Sequence, residues 1–554
     1  MFDRSSALGV LRRGGVTSVA TLLTITTLAG CGLDEPANEP SPELAAQAAD
    51  ALRGARPPSW GPCADLPDPR LQCATIEVPL DHRSPRGRKI EIAISRLQST
   101  APQRRHGVLL VNPGGPGEPG LDLPLALAAI LPPSVLDRYD LIGFDPRFVG
   151  RSTPLGCGLP ALDRGRGQQP AGFDATIAVA RDTAERCGAL GGAVLPFATT
   201  ASTARDLDLI RCALGEAKIS YLGYSYGTYL GAVYASLFAD RVDRFILDSA
   251  VDPAQVWRGA GRAWAAGGEQ RFGDFAAFAV AHQDSYRFGA TAEQVHRFAM
   301  GLIEQLDRAP IALPDGRSIS GESVRTTTFQ ALHAPDEVFP QIADIWRDTA
   351  AAARDGRLPS APTIDQLTGV APDNAVSAGL SVLCGDVAWS RSVDQYRREL
   401  AHDTSRFPLF APIGSTIWPC AFWPSQPREA PPAILGRGPG NILIIQHLRD
   451  PATPYAGALE MRAALGTRAH MVSVDEGGHT VYAVTANRCA NAAGDAFLTA
   501  DIPPAGDAFC AAEPPVVAAD AMAPRRAGAP VDPAAPDRAS AISALRRRLA
   551  QPGL

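Results

Sequence analysis

Five residues, Gly223-Tyr224-Ser225-Tyr226-Gly227, carry the strongest chemical signal in this 554-residue chain. They follow a short apolar run, Ile219–Gly223, and precede a stretch with helical periodicity, Thr228–Phe238. A G-x-S-x-G turn between a strand and a helix lifts the serine hydroxyl clear of the sheet. It also sets it at a helix N-terminus, where N–H groups and the helix dipole favour negative charge. A serine hydroxyl is a weak nucleophile alone; it needs a base, and the base needs an orienting acid. In this architecture the acid and then the base follow the serine along the chain. Asn441–Gln446 runs into Arg449-Asp450-Pro451-Ala452-Thr453-Pro454, and His470–Val474 runs into Glu476-Gly477-Gly478-His479-Thr480. Asp450 and His479 each stand just past a strand-like run, where open α/β sheets meet their ligands. Of nine histidines, only His479 has a Gly-Gly approach directly after a late strand. His470 begins that strand and reads as structural, and His447 lies on the acid's own loop. The expected catalytic set is Ser225, Asp450 and His479.

An oxyanion formed at Ser225 needs preorganised N–H donors. Asn112-Pro113-Gly114-Gly115-Pro116-Gly117 follows a strand-like run, and its glycines let backbone approach a substrate carbonyl. The N–H groups of Gly115 and Tyr226 are the nominated oxyanion hole, with Gly114 as the alternative. A dinucleotide-binding reading of this loop fails, because the spacing is not G-x-G-x-x-G and Pro116 breaks a helix start. Asp145 and Arg147 read as a loop-fixing ion pair near the site, and Thr453 as a hydrogen-bonding partner of Asp450. Glu118 and Asp252 are candidate substrate-binding residues, and Glu269 is a further acid available to a substrate ammonium. No C-x-x-C or H-x-x-x-H spacing occurs, so neither a metal site nor a cofactor is expected.

The elements that must position these groups are short apolar runs ending in Gly, Pro or Asp. These are Gly107–Asn112, Tyr139–Phe144, Ile219–Gly223, Asp243–Leu247, Asn441–Gln446 and His470–Val474. Each has the length of a buried parallel strand, and helical stretches such as Thr203–Leu214 separate several of them. Two earlier runs, Thr75–Leu80 and Ile90–Leu97, alternate apolar and polar residues and suggest an antiparallel start. The pattern predicts a mostly parallel, doubly wound α/β sheet. From Trp257 to Ala430 the pattern becomes Ala-, Arg- and aromatic-rich, with helical segments Gly268–Phe288, Thr291–Leu306 and Asp336–Arg354. This reads as an inserted, mainly helical cap. The expected division is sheet core over 59–256, cap over 257–430, sheet core again over 431–512, and an Ala/Pro-rich tail over 513–554 ending in a short helix, Arg538–Ala550. A hydrophobic content of 45% supplies a large core, and a net charge of −6 leaves no basic surface for nucleic acid.

The N-terminus reads as an export signal. Arg4, Arg12 and Arg13 precede an uncharged run, Val16–Ala29, too short to span a bilayer, and Leu28-Ala29-Gly30-Cys31 resembles a bacterial lipobox. Residues 1–30 are then a signal peptide, Cys31 is the lipidated first residue, and 31–58 form a flexible tether. The plainer alternative is secretion without a lipid. Export permits disulfides. Chain neighbours suggest Cys63–Cys73, Cys157–Cys187, Cys384–Cys420 and Cys489–Cys510, which leaves Cys212 as a buried thiol.

Taken as an ordered set, several motifs resemble the tripeptidyl aminopeptidase-like family of α/β-hydrolases, exported serine peptidases distantly related to prolyl iminopeptidases. They are Asn112–Gly117, Phe144-Asp145-Pro146-Arg147 with Gly150-Arg151-Ser152, the serine turn with Thr228-Tyr229, Leu247-Asp248 with Val251-Asp252-Pro253, Asp450-Pro451 with Thr453-Pro454, and Gly477-Gly478-His479. The similarity spans roughly residues 60–512. It implies Ser225, Asp450 and His479 as a triad, and a cap favouring short peptides with a free N-terminus. The Cys384/Cys420 and Cys489/Cys510 pairs also resemble the family's C-terminal part. Phe148, Glu118 and His447 depart from the family by standing where glycine is usual. The expected protein is a serine exopeptidase acting through an acyl-enzyme, held by lipid outside the cytoplasmic membrane. The alternatives are a carboxylesterase on small or lipid esters, and a non-catalytic binding lipoprotein on a hydrolase scaffold.

Overall fold

A computed structural model describes residues 56–161, 172–500, 505–513 and 538–549. The expected signal peptide, the lipidation site Cys31 and most of the tether and tail lie outside these residues. Ten strands form one sheet: β1 (Gly61–Pro62), β2 (Leu71–Pro79), β3 (Lys89–Leu97), β4 (Gly107–Asn112), β5 (Tyr139–Phe144), β6 (Ile219–Tyr224), β7 (Val242–Asp248), then β10 (Ile442–Arg449), β11 (Ala469–Gly477) and β12 (Ala508–Cys510). A separate hairpin pairs β8 (Ile311–Ala312) with β9 (Ser318–Ile319). The strand order is β1-β2-β3-β5-β4-β6-β7-β10-β11-β12. The first three pairings are antiparallel and the remaining six are parallel.

Alternating side chains of the central strands serve two cores. Val108 and Leu110 face one, with the helices Thr200–Ala213, Tyr226–Leu237 and Tyr455–Leu465. Leu109 and Val111 face the other, with the helices Leu123–Ala128 and Arg488–Thr499. Every residue of β4, β5 and β6 is buried, so these runs are mostly apolar on both faces rather than alternating apolar with polar. The terminal helix Arg538–Leu549 buries Ala541 and Leu545 in the second core, and its Arg546 Nε donates to the Val484 carbonyl at 2.6 Å.

Between β7 and β10 the chain leaves the sheet for a mainly helical region, which has its own aromatic core around Phe272, Phe275, Phe339 and Trp346. Its first helix is Arg258–Ala281, beginning ten residues before the periodicity of Gly268–Phe288 suggests. No described helix is long and apolar enough to cross a membrane.

Disulfides join Cys63–Cys73, Cys157–Cys187, Cys384–Cys420 and Cys489–Cys510. Cys212, expected as a buried thiol, is half-buried on the helix Thr200–Ala213.

The expected Asp145–Arg147 pair does not form. Arg147 is buried and binds Asp206 through Nε at 2.7 Å and Nη2 at 2.6 Å, while its Nη1 donates to the carbonyls of Leu80 and Phe197. Asp145 instead accepts the backbone N–H groups of Gly120, Leu121 and Arg151, fixing the end of the glycine loop. Replacing Arg147 would take the guanidinium from the buried Asp206 carboxylate and leave it the His82 ring at 2.8 Å. Arg147→Met is expected to cost about 3–5 kcal/mol, read as a lower urea midpoint.

Candidate active site

β6 delivers Ser225 with φ 55° and ψ −122°, a sparsely populated conformation that costs about 1–3 kcal/mol and persists only where the surroundings enforce it. The enforcement is visible. The Ser225 N–H donates to the Asp248 carbonyl at the end of β7 at 2.9 Å, and the Ser225 carbonyl accepts from Thr228 N–H at 2.9 Å and Thr228 Oγ1 at 2.6 Å. A Cβ on Gly223 would lie 2.5 Å from the Gly227 carbonyl oxygen, and one on Gly227 would lie 2.7 Å from Asn112 Oδ1. Both glycines of the turn are therefore sterically required.

Asp450 follows β10 and is fully buried. Its Oδ1 accepts the N–H groups of Ala452 and Thr453, each at 2.9 Å, and its Oδ2 accepts Thr453 Oγ1 at 2.9 Å. His479 Nδ1 lies 2.9 Å from Oδ2 and 3.0 Å from Oδ1. Burial pushes this carboxyl upward, but the charge and hydrogen bond of His479, with the Thr453 N–H and the Ser249 hydroxyl, outweigh it and hold the group at about 2. An ionised Asp450 draws the ring proton to Nδ1, which leaves Nε2 of His479 as a base.

One residue ties the serine turn to the histidine loop. Asp248 gives its carbonyl to Ser225, and its carboxylate accepts Val481 N–H at 3.0 Å and Tyr482 N–H at 2.6 Å. Its neighbour Ser249 accepts Thr480 N–H at 2.8 Å. Burial raises Asp248 to about 7, against the opposing N–H bonds. Leu247-Asp248 was visible as a motif, but nothing in the sequence assigned Asp248 this linking task.

In the glycine loop, Asn112 Oδ1 accepts the Gly114 N–H at 3.1 Å. A Cβ on Gly114 would stand 3.0 Å from Ser225 Cβ, so the loop lies directly over the serine. Among the described residues the N–H groups of Gly115 and Tyr226 have no partner, which favours them over the Gly114 alternative. Glu118 is half-buried and lines a cavity of about 1690 Å³. That cavity runs along the helical region past Trp264, Gln330 and Ala334 rather than onto Ser225 itself. Asp252 does not line it; its carboxylate accepts the Ala254 N–H in a turn packed on Gly457. Glu269 is spent inside the helical region, where it accepts the Leu409 N–H at 2.7 Å and stands 3.4 Å from His296.

Two family models match the chain: one described as the alpha/beta hydrolase fold over residues 107–302, and one described as TAP-like protein over residues 411–510. The tripeptidyl aminopeptidase of Streptomyces lividans is 33% identical over 458 residues, covering 79% of this chain and 84% of that protein. The chain belongs to the tripeptidyl aminopeptidase family of α/β-hydrolases. Serine protease Hip1 of Mycobacterium tuberculosis is 30% identical, covering 77% of this chain and 86% of its own length. Carboxylesterase B of the same organism is 32% identical, covering 80% and 88%. Within this α/β-hydrolase, His447 is not a second base. It lies on β10 itself, its Nε2 faces the Thr480 carbonyl at 3.2 Å, and burial pushes it down to about 4. The unfolded ring protonates near pH 6.5, so between there and pH 4 the unfolded chain binds more protons than the folded one. Its contribution is therefore whole above pH 6.5 and is lost as pH falls toward 4. His447→Gln is expected to flatten the decline in urea midpoint across that window relative to wild type.

Proposed function

We propose that this serine hydrolase is an exported exopeptidase that cleaves peptide bonds near the free N-terminus of short peptides through an acyl-enzyme. The observation that carries the reading is the buried Asp450–His479 contact at 2.9 Å, on a loop tied through Asp248 to the strained Ser225. Ser225 Oγ attacks the scissile carbonyl while His479 Nε2 takes its proton. Asp450 stays ionised, holds the ring by Nδ1 and stabilises the imidazolium. The N–H groups of Gly115 and Tyr226 receive the oxyanion, each worth about 3–4 kcal/mol of barrier. Collapse of the tetrahedral intermediate breaks the C–N bond, and Nε2 returns the proton to the leaving amine. Water, deprotonated by the same nitrogen, then attacks the acyl ester and regenerates the Ser225 hydroxyl.

The exopeptidase reading is supported by the helical region beside the site, which suits short chain ends, and by the relatives named tripeptidyl aminopeptidase and serine protease. The relative named carboxylesterase favours a second reading, an esterase with the same triad and a different pocket preference. Export is supported by the disulfides. Anchoring by a lipid on Cys31 extends the proposal and rests on the Leu28–Cys31 pattern.

A substrate panel with purified protein decides between the readings. Peptide amides with a free N-terminus are expected to be cut, and N-acetylated copies at least about tenfold more slowly in kcat/KM, the measure of lost transition-state stabilisation. Ser225→Ala should abolish both. Preferential turnover of short esters, with both peptide forms spared, would replace the peptidase reading with the esterase.

A further inference from the structure

We propose that the helical region supplies positioning residues for the catalytic histidine, His333 and Arg271, so that His479 is in register only while that region is seated on the core. The inference rests on the serine-hydrolase reading and adds to it.

The helix Arg258–Ala281 approaches the acid loop closely. A Cβ on its Gly267 would lie 2.6 Å from the Pro451 carbonyl oxygen and 2.9 Å from Pro454 Cγ. One turn further along the same face is Arg271, fully buried. Its guanidinium donates from Nη2 to the Ala334 carbonyl at 2.9 Å and from Nε to the Leu332 carbonyl at 3.3 Å. Its Nη1 binds Asp274 and Asp336, each at 2.7 Å. The planar fork thus clasps the peptide on either side of His333.

His333 in turn meets the catalytic loop. Its carbonyl accepts the His479 N–H at 2.7 Å, and its ring centroid lies 5.3 Å from that of His479, inclined at 46°. A buried N–H needs a partner, and here the partner comes from outside the sheet core. The same contacts explain why two glycines precede His479. A Cβ on Gly477 would stand 2.2 Å from Arg271 Nη1, and one on Gly478 would stand 3.1 Å from the His333 carbonyl oxygen and 3.3 Å from that of Ala334.

Charge pairs continue the linkage into the sheet. Asp274 also accepts Arg449 Nε at 2.9 Å, and Arg449 binds Asp475 at 2.8 Å, so Asp475, Arg449, Asp274, Arg271 and Asp336 form one chain from the ends of β10 and β11 into the helical region. Lifting the helical region would remove the acceptor of the His479 N–H together with the face its ring packs on.

The test uses the full chain. For each variant, kcat, KM and melting temperature are measured, and reactive serines are counted by titration to completion with a fluorophosphonate. His333→Ala is expected to lower kcat per titrated serine about tenfold with KM within about twofold, as loss of histidine alignment should. His333→Phe, which keeps a ring against His479, should recover to within about threefold of wild type. Asp336 is 68% exposed, so Asp336→Ala should leave the melting temperature unchanged. It should still lower kcat per serine about threefold by loosening the Arg271 clasp. If Asp336→Ala retains wild-type kcat, and folded His333→Ala does too, the proposal is overturned while the hydrolase reading stands. A folded wild type with no reactive serine would overturn the hydrolase reading itself.

Discussion

The site depends on a carboxylate kept ionised where water cannot reach it. Asp450 has no exposed surface, and an unpaired charge there would take up a proton rather than remain an anion. It stays charged because the backbone turns beneath it, aiming the N–H groups of Ala452 and Thr453 at one oxygen and the Thr453 hydroxyl at the other, with His479 completing the set. The Pro451 and Pro454 bracket belongs to the same arrangement, since a tight turn with preset φ angles aims those donors. A neutral Asp450 would no longer draw the ring proton to Nδ1 or stabilise an imidazolium.

Parallel strands bring the three groups to one edge. Ser225, Asp450 and His479 follow β6, β10 and β11, and Asp248, at the end of the intervening β7, holds the serine turn with its carbonyl and the histidine loop with its carboxylate. The strain at Ser225 is sustained by this cross-linking, because relaxing its φ would break the bond to Asp248 and drive the turn glycines apart. Gly223, Gly227, Gly477 and Gly478 are thus one kind of constraint met twice: backbone, the Asn112 amide or the Arg271 guanidinium occupies the space a Cβ would need.

What was legible in the sequence was local. Ser225 announces itself by its flanking glycines, the buried strands by unbroken apolar runs, and Asp450 and His479 by following such runs. β10 continues to Arg449, past the apolar stretch ending at Gln446, because the polar residues His447 and Arg449 still pair with β11. Partnerships across the fold left no such trace. Arg147 meets Asp206, 59 residues away, rather than the nearby Asp145. Arg271 sits in an ordinary-looking helical stretch, and its grip on Leu332 and Ala334 follows only from how that helix packs. Glu269 looked available to a ligand because its occupant, the N–H of Leu409, is brought to it only by tertiary structure.

The central claim is that Ser225, His479 and Asp450 act as one proton-transferring unit, and mass spectrometry of protein treated with a fluorophosphonate tests it most directly. The account predicts one adduct, mapped to the peptide containing Ser225, formed far more slowly in Asp450→Asn and absent in His479→Ala of intact fold. A properly folded wild type that forms no adduct at Ser225, or forms it equally fast without His479, would contradict the account.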